Sequence, residues 1–223
     1  MSQCKTKAER PTPTCDCPGA AVPAISQSAE VLLALLADSL DCQQTSIQAV
    51  DRLARLSLSS HPAAAGAEEM LGQLRLDGAN GAEVLNLIGF HAIVMERCDK
   101  AVPWLEQANA MTRGSNPMIL NNLATAIVRS GARSPEDALT LANQTLMLIP
   151  DHPDALSTRG EVYVAMKRWN DAVADLTEAL KLRKDNLLVH QLLATAYQEL
   201  SEPKMQELHL KRVEELSSRS PSD

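Results

Sequence analysis

The sequence predicts an all-α fold, an antiparallel helix-pair solenoid led by a disordered N-terminal arm. Three observations predict it. A spacing of small and apolar residues recurs about every 34 residues, the range of helical solenoid repeats. Within each copy the apolar positions return at helical period. Ala and Leu dominate while strand-forming runs are scarce. In one copy Leu156, Gly160, Tyr163, Ala172, Leu176 and Ala179 fall in order. One step upstream stand Leu120, Leu123, Ala124 and Ile127, then Ala138, Ala142 and Pro150. A further step back gives Leu85, Ile88, Gly89 and Ala92, then Ala101, Leu105 and Ala108; downstream come Leu193, Ala194 and Tyr197.

The elements follow in order. Residues 1–27, with Pro11, Pro13, Pro18 and Pro23 among Ser, Thr and Gly, read as the disordered arm. Residues 28–81 form a degenerate repeat region. There Leu33, Leu36, Ala37 and Leu40 match the first-helix spacing, and Ala49, Leu53 and Leu56 the second. Glu68–Leu76 predicts an extra helix before Gly78 and Gly81 break it. Clear copies occupy about 82–116, 117–152, 153–186 and 187–200 onward, followed by a capping helix over 201–218 and a short disordered tail, 219–223. Ser134 with Pro135 predicts a capped helix start, and Asp151 with Pro153 another. Pro203 marks the start of the final helix. The small residues Gly89, Ala124 and Gly160 are expected where paired helices cross. Ala101 and Ala172, twelve residues on, would face the two glycines, and Ala138, fourteen on, would face Ala124. Such pairs let helix axes approach closely. One pair cannot bury its apolar face alone, so neighbours must stack.

The pattern resembles the tetratricopeptide repeat family over about residues 82–200. That family's signature is an apolar residue, then Leu-Gly, Tyr, Ala, an aromatic and Pro. The resemblance implies a right-handed superhelix. The chain departs from it in having only 2% aromatic residues, two extra residues in the turn around Gly131–Pro135, and Gln206 where a small residue is expected twelve positions after Ala194. The last copy therefore reads as a cap with a more polar outer face.

Composition narrows the function. With 223 residues, 45% hydrophobic and 22% charged, the chain is ordinary for a globular protein. Its formal net charge is −7, and residues 1–27 hold three basic and two acidic residues, which leaves −8 for the body. An acidic body argues against nucleic acid, whose phosphates require Lys and Arg, and against an anionic membrane surface. No apolar run reaches the length of a spanning helix; the longest, around Val31–Leu36, is too short. The start lacks the apolar core of a secretory signal, so the expected location is the cytoplasm.

No catalytic, cofactor or metal motif emerges. Cys15 and Cys17 form a C-x-C pair in the arm and, with Cys4, offer three thiolates, one short of a structural zinc site; free reduced thiols are the expected state. Cys42 and Cys98 are expected to pack. His61, His91, His152, His190 and His209 are scattered, with no H-E-x-x-H pattern. No phosphate loop or nucleophile elbow is present. Trp169 reads as structural, and Trp104, beside Pro103, as a possible contact anchor.

The candidate site is a stripe. On each first helix, residues one, five and eight after the first packing residue share a face: Asn86, Phe90 and Ile93; Asn121, Thr125 and Val128; Ser157, Glu161 and Val164; Gln191, Thr195 and Gln198. The resemblance implies that these positions line a concave groove that contacts peptides. Amides such as Asn86, Asn121 and Gln191 both donate and accept, and so suit the backbone of an extended peptide. The resembling subtype that clamps chaperone C-termini uses Lys, Asn and Arg. Here the comparable places hold Asn86, Phe90, Asn122, Asp154 and Thr158, so a carboxylate clamp is not expected. The leading expectation is a non-catalytic adaptor binding a peptide or helix in this groove. The alternatives are an assembly factor or chaperone of a multi-protein secretion or envelope complex, and a metal or redox role for the N-terminal cysteines.

Overall fold

In the computed structural model the described residues are 46–77 and 81–218, and all their regular elements are helices. The arm with Cys4, Cys15 and Cys17, the segment carrying Leu33–Leu40 and Cys42, and residues 219–223 lie outside them. The helices are α1 (Ser46–Ser57), α2 (Ala64–Asp77), α3 (Ala82–Val94), α4 (Cys98–Thr112), α5 (Pro117–Ser130), α6 (Pro135–Leu148), α7 (Pro153–Ala165), α8 (Trp169–Leu182), α9 (Leu187–Glu199) and α10 (Pro203–Ser218). Each helix from α3 onward packs on the next, and the first helices α3, α5, α7 and α9 also touch one another in series. That is the contact pattern of stacked helix pairs.

Local chemistry sets the boundaries. The Asn116 side chain accepts from the Met118 and Ile119 N–H groups with Pro117 at the first helical position, and Asn186 accepts from the Val189 N–H. Ser134 caps α6 through the Asp137 N–H, as its sequence predicts. Asp151 behaves differently from expectation. It takes a left-handed backbone with φ 58°, and His152, which makes no side-chain cap bond, precedes Pro153. The chain turns before Asp151 could cap, and Pro153 alone pre-sets the helix start.

The turns inside three pairs are copies of one another. Glu96, Lys167 and Ser201 have φ of 58°, 58° and 59°. The next N–H groups, of Arg97, Arg168 and Glu202, donate to carbonyls five residues back, on Ala92, Tyr163 and Tyr197, at 2.8, 2.8 and 2.9 Å. This closure satisfies helix-end carbonyls. In the remaining pair Gly131 takes the left-handed position, and the extra residues follow it.

The helix crossings refine the sequence reading. A Cβ on Gly160 would stand 2.6 Å from two Leu176 side-chain atoms, and one on Gly89 would meet Leu105 in the same way. The residue opposite each glycine is therefore the leucine sixteen positions on. Ala101 and Ala172 are fully buried one helical turn earlier. In the middle pair the corresponding second-helix residue is Ala142, so Gly–Leu gives way to Ala–Ala, a pair with two fewer side-chain carbons.

Ala49, Leu53 and Leu56 of α1, Ala67 and Leu71 of α2, and Ile88 of α3 form one core cluster. Trp104 is half-buried and packs against this cluster and against Leu85, Ala108 and Ile119, so it is a joint between clusters. Trp169 is also half-buried. Cys98 is buried, and burial pushes its thiol pKa up, the opposite of a reactive cysteine.

The last pair is held by histidines. His190 Nε2–H donates to the Lys184 carbonyl at 3.2 Å, which leaves Nδ1 to accept from His209 Nδ1–H at 2.9 Å. His209 also stacks on Tyr197. Burial, then the neighbouring His190, lowers the His209 pKa from its ordinary value. In the folded state His209 thus stays neutral where the unfolded chain, titrating near about pH 6.5, takes up a proton. This contribution is present above that pH and is lost as pH falls through the lowered folded value. We expect the unfolding midpoint to fall between about pH 7 and pH 5, with a shallower slope in His209→Phe, which keeps the stack on Tyr197. Equal slopes in urea titrations at several pH values would contradict this.

Candidate binding cleft

The first helices α3, α5 and α7, with the start of α9, enclose a cleft of about 760 Å³. Its walls are tied across repeats by three side-chain rungs. Asn122 Nδ2 donates to Asn86 Oδ1 at 2.9 Å. The Thr125 hydroxyl donates to the Asn121 carbonyl at 3.0 Å, so in its 3.1 Å contact with Thr158 it must accept. Arg129 donates Nε and Nη2 to the two Glu161 oxygens at 2.8 and 2.9 Å, a bidentate pair. The hydrogen bond to Glu161 raises the Arg129 pKa further.

Of the predicted stripe, Asn86, Phe90, Ile93, Asn121, Thr125, Ser157 and Glu161 line this cleft. Several already have partners: Asn86, Thr125 and Glu161 belong to the rungs, and the Ser157 hydroxyl donates to the Pro153 carbonyl at 2.7 Å. Val128 and Val164 are half-buried against the core clusters. Gln191, Thr195 and Gln198 are exposed on α9 beyond the lining. Thr195 donates to the Gln191 carbonyl, and Gln198 accepts from Gln206 Nε2.

The lining also holds residues the stripe did not include. Glu83, Met118, Asp154 and Leu188 each stand two positions before the packing residue of their copy; Leu87, Asn122 and Thr158 stand two after; Val94 and Arg129 stand nine after. The helical period explains this. At about 100° per residue, positions −2, +2, +5 and +9 centre roughly 170° from the packing residue. Positions +1, +5 and +8 centre nearer 110°, turned toward the core. The same periodicity carried to the opposite face finds the lining.

Two features of the lining stand apart from the rungs. Phe90, the chain's single phenylalanine, is 45% exposed, beside Val94 at 58% and Met118 at 47%. Asn121 is only 9% exposed, and its side-chain oxygen is buried without a hydrogen-bond donor among the described residues. Charge is uneven. Asp154 is paired with Arg183 at 2.5 Å. Glu83 and Glu96 are exposed and make no ion pair among the described residues, although Glu96 adds to the field that raises Arg129. Among the described residues no group of three or more His, Cys, Asp or Glu is placed to hold a metal, and no helix is long and apolar enough to cross a membrane.

No protein-family model and no curated protein matches the sequence. Solved structures do. A crystal structure of MamA superposes with TM-score 0.55 at 16% identity, covering 69% of this chain and 88% of that one. MamA AMB-1 gives 0.54 at 17% identity, over 86% and 96%. The first TPR domain of the human RPAP3 protein gives 0.48 at 23% identity, over 55% and 94%. Together with the stacked pairs and repeated turns, the two MamA likenesses show that the chain has a TPR-like helix-pair solenoid fold.

Proposed function

We propose that this chain is a non-catalytic adaptor that binds a peptide or partner helix in the cleft of α3, α5 and α7. The observation that carries the reading is Phe90, an exposed aromatic set in a concave wall beside the exposed Val94 and Met118. Exposed aromatics in pockets are typical binding anchors, and truncating one typically costs 1–2 kcal/mol or more of affinity, about tenfold or above. Asn121 of α5 lines the same cleft.

The test is crosslinking-coupled pulldown from native cells with wild type and the double variant Phe90→Ala/Asn121→Ala. We expect partner recovery to drop at least tenfold in the variant while its helical circular dichroism and unfolding midpoint stay near wild type. Equal recovery by a folded variant would place the binding surface elsewhere.

A further inference from the structure

The chemistry of the occupant is legible in the cleft, and this inference rests on the adaptor reading above. Four carboxylates line it, those of Glu83, Glu96, Asp154 and Glu161, against one guanidinium, that of Arg129. Arg129 and Glu161 neutralise each other, and Arg183 pairs with Asp154 from outside the lining, so Glu83 and Glu96 carry the remaining charge. Phe90 and Val94 of α3 stand in the chain between Glu83 and Glu96, which make no ion pair among the described residues, and Met118 of α5 lines the same cleft. Asn121 also lines this space, although its side-chain oxygen is buried beneath the surface without a donor among the described residues. A concave, partly apolar site focuses such a field, and like charge is repelled by it.

We propose that the cleft selects a segment of a partner chain whose apolar side chains are flanked by Lys or Arg, and rejects acidic segments. The apolar residues seat on the Phe90 lip, and the cations face Glu83 and Glu96.

The test uses the purified full chain and three fluorescein-labelled peptides of equal length with identical leucines, whose intervening residues are all Lys, all Ser or all Glu. Fluorescence anisotropy should rank them Lys over Ser over Glu, with the Lys peptide about tenfold tighter than Ser at low salt and the gap shrinking as salt screens it. Glu83→Gln/Glu96→Gln should remove most of that advantage. Glu207→Gln/Glu214→Gln, an equal charge change on exposed α10 residues outside the cleft, should leave it in place. A Glu peptide that binds as well as Lys, or a Lys advantage unaltered in Glu83→Gln/Glu96→Gln, overturns the charge selection. If binding still weakens with Phe90→Ala, the adaptor reading survives that result. If no peptide binds, or binding ignores both Phe90→Ala and Asn121→Ala, the charge selection and the cleft reading fall together.

Discussion

Gly160→Ala is expected to destabilise the protein, although alanine is the better helix former. Intrinsic propensity favours alanine in a helix interior by about 1 kcal/mol. Against it, the new Cβ would lie 2.6 Å from two atoms of Leu176, which is fully buried and has no open side to move into. Overpacking of this kind costs about 1–3 kcal/mol, so the clash wins and the urea midpoint should drop. Gly72→Ala provides the opposite sign. A Cβ there meets nothing among the described residues, and α2 continues on both sides, so propensity should act alone and raise stability by up to about 1 kcal/mol. Leu176→Ala should cost about 2–5 kcal/mol through the cavity it leaves. The double variant Gly160→Ala/Leu176→Ala recreates the Ala124/Ala142 arrangement of the neighbouring pair, and should be more stable than the sum of the single losses by about 1 kcal/mol. Strict additivity would show that Gly160 and Leu176 do not share the crossing.

Asp175→Ala is expected to cost about 2–3 kcal/mol. Arg159 of α7 donates Nε and Nη2 to Asp175 of α8 at 2.6 and 2.8 Å, and Nη1 to Asn143 of α6 at 3.1 Å, so one guanidinium joins three helices. Its face also lies 5.8 Å from the Tyr163 ring centroid. Asp175 is buried and the Arg159 side chain a quarter exposed, so removing the carboxylate leaves a poorly hydrated cation without its partner. The Lys181–Glu178 pair on the same helix is the contrast. Both its side chains are largely exposed, and Glu178→Gln should change stability by less than about 0.5 kcal/mol. Urea titration of the two variants side by side checks the ranking; comparable losses would mean that burial does not set the strength of the Arg159 bridge.

The fold was readable because its determinants are local and repeated. Gly89, Ala124 and Gly160 recur at crossing positions, and Ser134-Pro135 announces a helix start with its own cap. The partner across each crossing was less readable. The stretch from Gly160 contains both Ala172 and Leu176 at plausible spacing, and only the packed pair shows that Leu176 fills the notch. The cleft was half readable. Phe90 and Asn121 came from the helical stripe, whereas Glu83, Met118 and Asp154 lay a few tens of degrees further round the same helices. Rotation about a helix axis is set by what the helix packs against, and a periodicity gives the angle between residues but no origin.

The sequence by itself determined the all-α class, the helix-pair period and most helix starts, because spacing, caps and proline act within a few residues of one another. The tertiary structure alone decided which stripe residues are engaged with neighbouring repeats and which are not. Asn86 meets Asn122, Thr125 meets Thr158 and Arg129 meets Glu161 only once neighbouring repeats stack, across separations of 36, 33 and 32 residues. Those bonds form between side chains that no local pattern couples. What they leave over, the Phe90 lip and the two acids without an ion pair among the described residues, is a remainder of packing that only the assembled solenoid defines.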